Sequence, residues 1–350
     1  MGRCAPRRIW RTEVQASRWL NAVDTHTEGE PTRIITGGVG HLAGDSVSAK
    51  RDSFRRHLDH LRTALVSEPR GHKDMFGCVL TEPAGPDAEF GMFFMDNGGY
   101  QDMCGHATIG VSTALVELGM APGEGPRRRI RFETPAGPVE SVVAVEDGRA
   151  VSVTFRGVPS FAAHLNASLP VPGFGDLKVD VAYGGNWFVY VDAGELGLEV
   201  SLRNIREVVD LGMRVREAAN RTLPVRHPEI PGSNHINIAT VLARPEDPAA
   251  TYRNVHVFGP RQFDRSPGGT GNCARLAVLH RKGELGPDRS VRIESVTGGM
   301  FVARMLGETR VGDRHAIVPE IKGSAHVTGF HQFPLDPRDR LGHGFSTESA

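Results

Sequence analysis

A single thiol stands where the sequence could support acid–base chemistry. Cys104 is followed by Gly105 and then by a run of residues that a helix accepts, so the spacing puts the thiol at or just before a helix N-terminus. There, free backbone N–H groups and the helix dipole favour a thiolate. An ordinary Cys ionises near about 8.5, and such a position is expected to lower that value towards working pH, as a general base requires. His106 adds a donor beside it. The competing reading is a buried Cys acting as a small hydrophobe, with His106 as a cap or surface residue. The short run Met103-Cys104-Gly105-His106 leaves both open.

A second candidate is Gly268-Gly269-Thr270-Gly271, a loop whose backbone N–H groups could hold an anion at the start of another helix. It lacks the Lys of a phosphate-binding loop and is not the dinucleotide pattern, so a carboxylate suits it better than a phosphate. A plain turn is the alternative. Asp264, just ahead of it, could hold an ammonium or imino nitrogen, or could simply cap a helix or pair with Arg265. The segment Asp24 to Glu30 gathers several ionisable groups, but without ligand spacing or a second cluster, so no metal is expected. Glu68 to His72 and Tyr183-Gly184-Gly185-Asn186 read as turns. The four cysteines (Cys4, Cys78, Cys104, Cys273) contain no CxxC pair, which points to a reduced chain without a disulfide framework.

Elements that could position these groups follow from periodicity. Apolar Phe54, Leu58, Leu61 and Leu65 predict a helix over Ser46 to Ala64, and a second is expected over Ile205 to Ala219. Between them lie alternating strand-like stretches divided by Gly and Pro turns. MDNGGYQDMCGHATIGVSTALVELG and FDRSPGGTGNCARLAVLHRKGEL both read as strand, glycine turn and helix, with Cys104 set against Gly268. That repeat predicts two related lobes that each offer a helix N-terminus to a shared cleft. Residues 1–18 and the last stretch, rich in Pro, Arg and Gly, read as tails. The 350 residues suit two domains. Equal numbers of basic and acidic residues, 41 each, argue against a nucleic-acid or anionic-membrane partner. No apolar run approaches the roughly 18 residues of a membrane span. The basic N-terminus lacks the features of a signal peptide and only weakly suggests a transit peptide, so a cytoplasmic location is expected.

Six segments, in this order, are similar to the proline racemase family: VDTHTEGEPTRI, KRDSFRRHLDHLR, EPRGHKDMFG, NGGYQDMCGHATIG, VDVAYGGNWF and DRSPGGTG. The resemblance implies an α/β (α+β) fold of two pseudo-symmetric lobes of the diaminopimelate epimerase-like kind, each a curved, mostly antiparallel sheet around a central helix. The first lobe is expected over 19–186, with 325–350 as the segment to return to it, and the second over 187–324. No cofactor is implied. Cys104 matches the family's first catalytic thiol, and Gly105 and His106 adjoining ligand-binding positions. Asp264 matches the acid on the substrate nitrogen, Gly269 and Thr270 the donors to the carboxylate, and His235 falls near another contact position.

One departure bears on function. Gly268 stands where racemases and epimerases of this family carry a second Cys. Inversion needs an acid and a base on opposite faces of Cα, whereas elimination needs only one base there. The family's dehydratases, typically with Thr at this position, also lack that Cys. The resemblance therefore leans towards a hydro-lyase converting trans-3-hydroxy-L-proline to Δ1-pyrroline-2-carboxylate, with Cys104 removing the Cα proton. The alternatives are a proline racemase or 4-hydroxyproline 2-epimerase with a non-cysteine second acid, and a non-catalytic imino-acid-binding protein. The expected partner is a small imino acid, with a second copy of the chain as the macromolecular candidate.

Overall fold

The computed structural model describes residues 16–286 and 289–347. The chain opens with β1 (Arg18–Thr27), β2 (Glu30–Gly37), helix α1 (Val47–Val66), β3 (Gly77–Thr81), β4 (Phe90–Asp96) and β5 (Gly99–Gln101). Helix α2 (Gly105–Glu117) follows, then β6 (Arg127–Thr134), β7 (Gly137–Glu146) and β8 (Arg149–Arg156). The second half runs β9 (Phe161–Val171), β10 (Gly175–Tyr183), β11 (Trp187–Asp192), α3 (Ile205–Thr222), β12 (Ile238–Ala243), β13 (Tyr252–Phe258) and β14 (Gln262–Phe263). It ends with α4 (Gly269–Arg281), β15 (Ser290–Ser295), β16 (Met300–Val311), β17 (Arg314–Gly323) and β18 (Ala325–Leu335).

The strand pairings repeat. Antiparallel β1–β2 is matched by β10–β11, and parallel β2–β3 by β11–β12. The hairpin β4–β5 is matched by β13–β14, and parallel β4–β6 by β13–β15. β6–β7–β8 corresponds to β15–β16–β17, and the pair β18–β1 to β9–β10. Antiparallel β8–β17 joins the two halves. The protein is thus α+β, with mostly antiparallel pairing and four α-helices among the described residues.

The expected boundary at 186/187 lies inside the β10–β11 hairpin. β9 and β10 pair with each other and onward to β11, so the repeat of strand pairings begins again at β9. The expected C-terminal tail is corrected. β18 pairs with β1 along its length, and Phe345 bridges Glu68. The tail expected over 1–18 lies mostly outside the described residues.

Each half wraps a buried helix. In α2 every residue from Gly105 to Val116 is buried, and α4 is buried from Gly269 to Leu279 except at Arg275. A helix without a polar face can only be central, and small residues let strands approach it closely. A Cβ on Gly110 would lie 2.5 Å from Thr25 Oγ1 of β1. Helix α1, in contrast, is amphipathic and covers a separate apolar cluster with Phe54 and Leu61. It starts where Ser46 Oγ accepts the Ala49 N–H at 3.1 Å, one residue inside the expected start. Among the described residues no helix is long and apolar enough to cross a membrane.

If the α2–β1 contact is as tight as this, Gly110→Ala should cost about 1–3 kcal/mol in urea unfolding. An unchanged midpoint would contradict it.

Candidate functional site

The two central helices meet end to end. A Cβ on Gly105 would lie 2.4 Å from Gly269 Cα, and a Cβ on Gly269 would lie 2.4 Å from Gly105 Cα. Only glycine at both positions permits this approach. The loop from Tyr183 to Asn186, expected to be an ordinary turn, packs against both helix starts. A Cβ on Gly184 would meet the Thr270 carbonyl at 2.5 Å, and one on Gly185 would meet Met103 Cβ at 3.0 Å. Asn186 Nδ2 donates to the Met103 carbonyl at 2.7 Å and holds the segment before Cys104 in place.

Around this junction lies a small cavity of about 30 Å³. The sequence-derived candidates Cys104, Gly105, His106, Asp264, Gly268, Gly269 and Thr270 all line it. His235 does not: it is exposed in the loop before β12 and is not among the lining residues. Sequence reading missed Phe76, Gln101, Phe188, Ile238, Phe258 and His256, which complete the lining. Most are apolar residues whose role is invisible without the fold. His256 did carry a signal, being a polar residue inside the otherwise apolar strand run VHVF.

Cys104 is the N-cap of α2, and its Sγ accepts the Ala107 N–H at 3.4 Å. The His106 ring lies beside the sulfur, with Nδ1 at 3.3 Å and Nε2 at 3.6 Å. His106 Nδ1 is also 3.6 Å from Asp264 Oδ2, so thiol, imidazole and carboxylate form one buried cluster. Burial pushes the Cys104 thiol well above its ordinary range. The Ala107 N–H acts the other way, while the charges of Asp264 and Glu30 push it further up. The expected lowering by the helix terminus is therefore reversed, because desolvation outweighs one N–H bond. Cys273, the other thiol of this region, is inside α4 and packs towards Gly157.

Burial also opposes the charge of Asp264, but the His106 and His256 rings and the Ser266 N–H, at 2.7 Å, hold its carboxyl below the usual range. Glu30 behaves oppositely. Its complete burial, then the nearby Asp264, raise it well above the usual range, although it accepts the Arg265 N–H at 2.8 Å. Helix α4 begins at Gly268 with φ +81° and no side-chain cap, so its first-turn N–H groups face the cavity without a competing side-chain acceptor. Asn272 latches this loop by donating to the Pro267 carbonyl at 2.6 Å and to that of Gly268. Among the described residues, no group of three or more His, Cys, Asp or Glu side chains could hold a metal ion.

Two abutting helix N-termini over a small cavity, with a thiol, an imidazole and a carboxylate facing it, define a two-lobed protein fitted to a small polar ligand. The chain belongs to the proline racemase family, which matches residues 22–346. It is 43% identical over 332 residues to a proline racemase of Clostridioides difficile, covering 95% of this chain and 99% of that one. It is 42% identical over 332 residues, with the same coverage, to a trans-3-hydroxy-L-proline dehydratase of Burkholderia cenocepacia. Among solved structures it resembles a hydroxyproline epimerase from Agrobacterium vitis with bound trans-4-hydroxy-L-proline. The TM-score is 0.89 at 34% identity, covering 95% of this chain and 96% of that one. Relatives are thus racemases, epimerases and dehydratases at nearly equal identity, and the chain is an enzyme of this family.

Two outcomes follow from these electrostatics. A thiol raised by burial exposes thiolate only as pH rises, so iodoacetamide labelling of Cys104, followed by peptide mass spectrometry, should be slow at neutral pH. It should accelerate above the ordinary thiol range; fast labelling at pH 7 would contradict it. Glu30, raised in the fold, supports stability below its unfolded value and loses that contribution as pH rises through the window above it. The stability of Glu30→Gln relative to the parent should therefore grow as pH rises above the ordinary carboxyl range, read by chemical denaturation.

Proposed function

We propose that the protein dehydrates trans-3-hydroxy-L-proline, using Cys104 as the only base at Cα. The observation that carries this reading is Gly268. It occupies, at the start of α4, the place that Cys104 occupies at the start of α2, and it has no side chain to give or take a proton. A site with a thiol at the start of one helix and no side chain at the matching place on the other suits elimination better than inversion.

In this reading the substrate carboxylate lies at the abutting helix N-termini, where N–H groups of Gly269 and Thr270 and both helix dipoles favour negative charge. Asp264 holds the protonated ring nitrogen. The substrate's hydroxyl is trans to its carboxylate and therefore on the same ring face as the Cα hydrogen. Base and leaving group then share the Cys104 face, and His106, 3.3 Å from Sγ, stands there to serve the second. The thiol proton passes to His106. The thiolate takes the Cα proton, the C–H electron pair forms the ring double bond, and the C3–O bond breaks as His106 returns its proton to the departing oxygen. Water leaves, and the thiol is again protonated. Negative charge spreading onto the carboxylate during the step is stabilised by the same N–H groups. The unsaturated ring then tautomerises to Δ1-pyrroline-2-carboxylate. The soluble reactants need no further macromolecular partner.

NMR of the purified protein in D2O with trans-3-hydroxy-L-proline, trans-4-hydroxy-L-proline and L-proline tests this. Conversion of the first to a cyclic imine is expected. Inversion of either of the others with deuterium at Cα would refute it and support an epimerase or racemase. Binding without turnover would instead identify a binding protein. Cys104→Ser is expected to lower kcat by about 10²–10⁴-fold while leaving carboxylate binding largely intact; retained turnover would show that another group is the base.

A further inference from the structure

Gly268 leaves a space, and His256 fills it. A Cβ built on Gly268 would lie 2.0 Å from both Cδ2 and Nε2 of His256, and one on Gly271 would lie 2.2 Å from its Cε1. The ring projects from β13 against the first turn of α4, where a side chain at 268 would begin. It cannot give way easily. His256 is buried, Phe188 packs edge-on at 5.7 Å, and both ring nitrogens are held. Nε2 donates its proton to the Pro267 carbonyl at 3.0 Å, which leaves Nδ1 to accept from the Thr240 hydroxyl at 2.7 Å. Burial favours this neutral ring.

We infer that His256 is a specificity-determining residue: by occupying the 268 side-chain space with a ring whose nitrogens are already bonded, it closes the face opposite Cys104 to proton delivery. The inference deepens the single-base reading and rests on it. Its chemical consequence is that a thiol restored at 268 meets the ring before it can meet a substrate. The left-handed backbone at 268, φ +81°, adds a further obstacle for any side chain.

Four proteins test it: the parent, Gly268→Cys, His256→Ala and the double variant. Each is followed by NMR in D2O with L-proline and with trans-3-hydroxy-L-proline, alongside its thermal midpoint. Gly268→Cys alone is expected to lower the midpoint and gain no inversion. The double variant should recover part of that midpoint and invert Cα, with solvent deuterium incorporated, at least about tenfold faster than the single variant. Inversion no greater in the double variant than in the single one overturns the inference. So does a midpoint penalty for Gly268→Cys that His256→Ala does not relieve. Should Gly268→Cys fail to fold, Gly268→Ala with and without His256→Ala supplies the midpoint comparison, and an unrelieved penalty again overturns it. A parent protein that turns over neither substrate refutes the hydro-lyase reading, whereas the coupling between 256 and 268 is decided by the variants.

Discussion

The contact between Gly105 and Gly269 governs the rest of the structure. Two buried helices point their N-termini at each other with backbone against backbone, and a single methyl group on either residue would force them apart. Like ends of two dipoles repel, so the junction is electrostatically costly until something negative lies beside it. The helix starts at this junction are also why the Tyr183 to Asn186 loop needs two glycines to pass. A positive field at the junction is thus a consequence of how the lobes pack.

Burial cuts against the dipoles. At Cys104 the helix terminus favours thiolate, but desolvation and the neighbouring carboxyls favour thiol, and the second group wins. Entry of a protonated ring nitrogen beside Asp264 would compensate one of the charges that hold the thiol up. The position of His106, touching both Sγ and Asp264, makes it the natural route for the displaced proton.

Much of this was legible before the fold. The two glycine-led helices and their offset could be read because a strand–glycine–helix repeat leaves a local imprint. α1 announced itself through Phe54, Leu58, Leu61 and Leu65 at helical spacing. The start of the second set of strand pairings was not legible, because the pairing of β10 with β11 across the Gly184-Gly185 turn leaves no local mark in the sequence. The direction of the Cys104 shift was misjudged for a related reason: local sequence reveals a helix terminus but not how much of the molecule covers it. His256 was hidden because its significance lies in facing Gly268, a relation across a sheet and a helix that no local spacing encodes.

The two carboxyls near the junction complete the logic. Glu30 and Asp264 feel each other's charge in a region with little water, and their environments drive them in opposite directions, Glu30 up and Asp264 down. Two such groups cannot both stay ionised cheaply, so one keeps its proton and the other carries the charge. Asp264 wins the charge because the His106 and His256 rings and the Ser266 N–H surround it, whereas Glu30 has one oxygen, Oε1, without a hydrogen-bond partner. Asp264, which lines the cavity, therefore holds the charge more readily than Glu30, while the helix termini present a positive field. That combination complements a zwitterion whose ammonium and carboxylate share a single carbon, and it leaves that carbon's hydrogen to the one thiol at the junction.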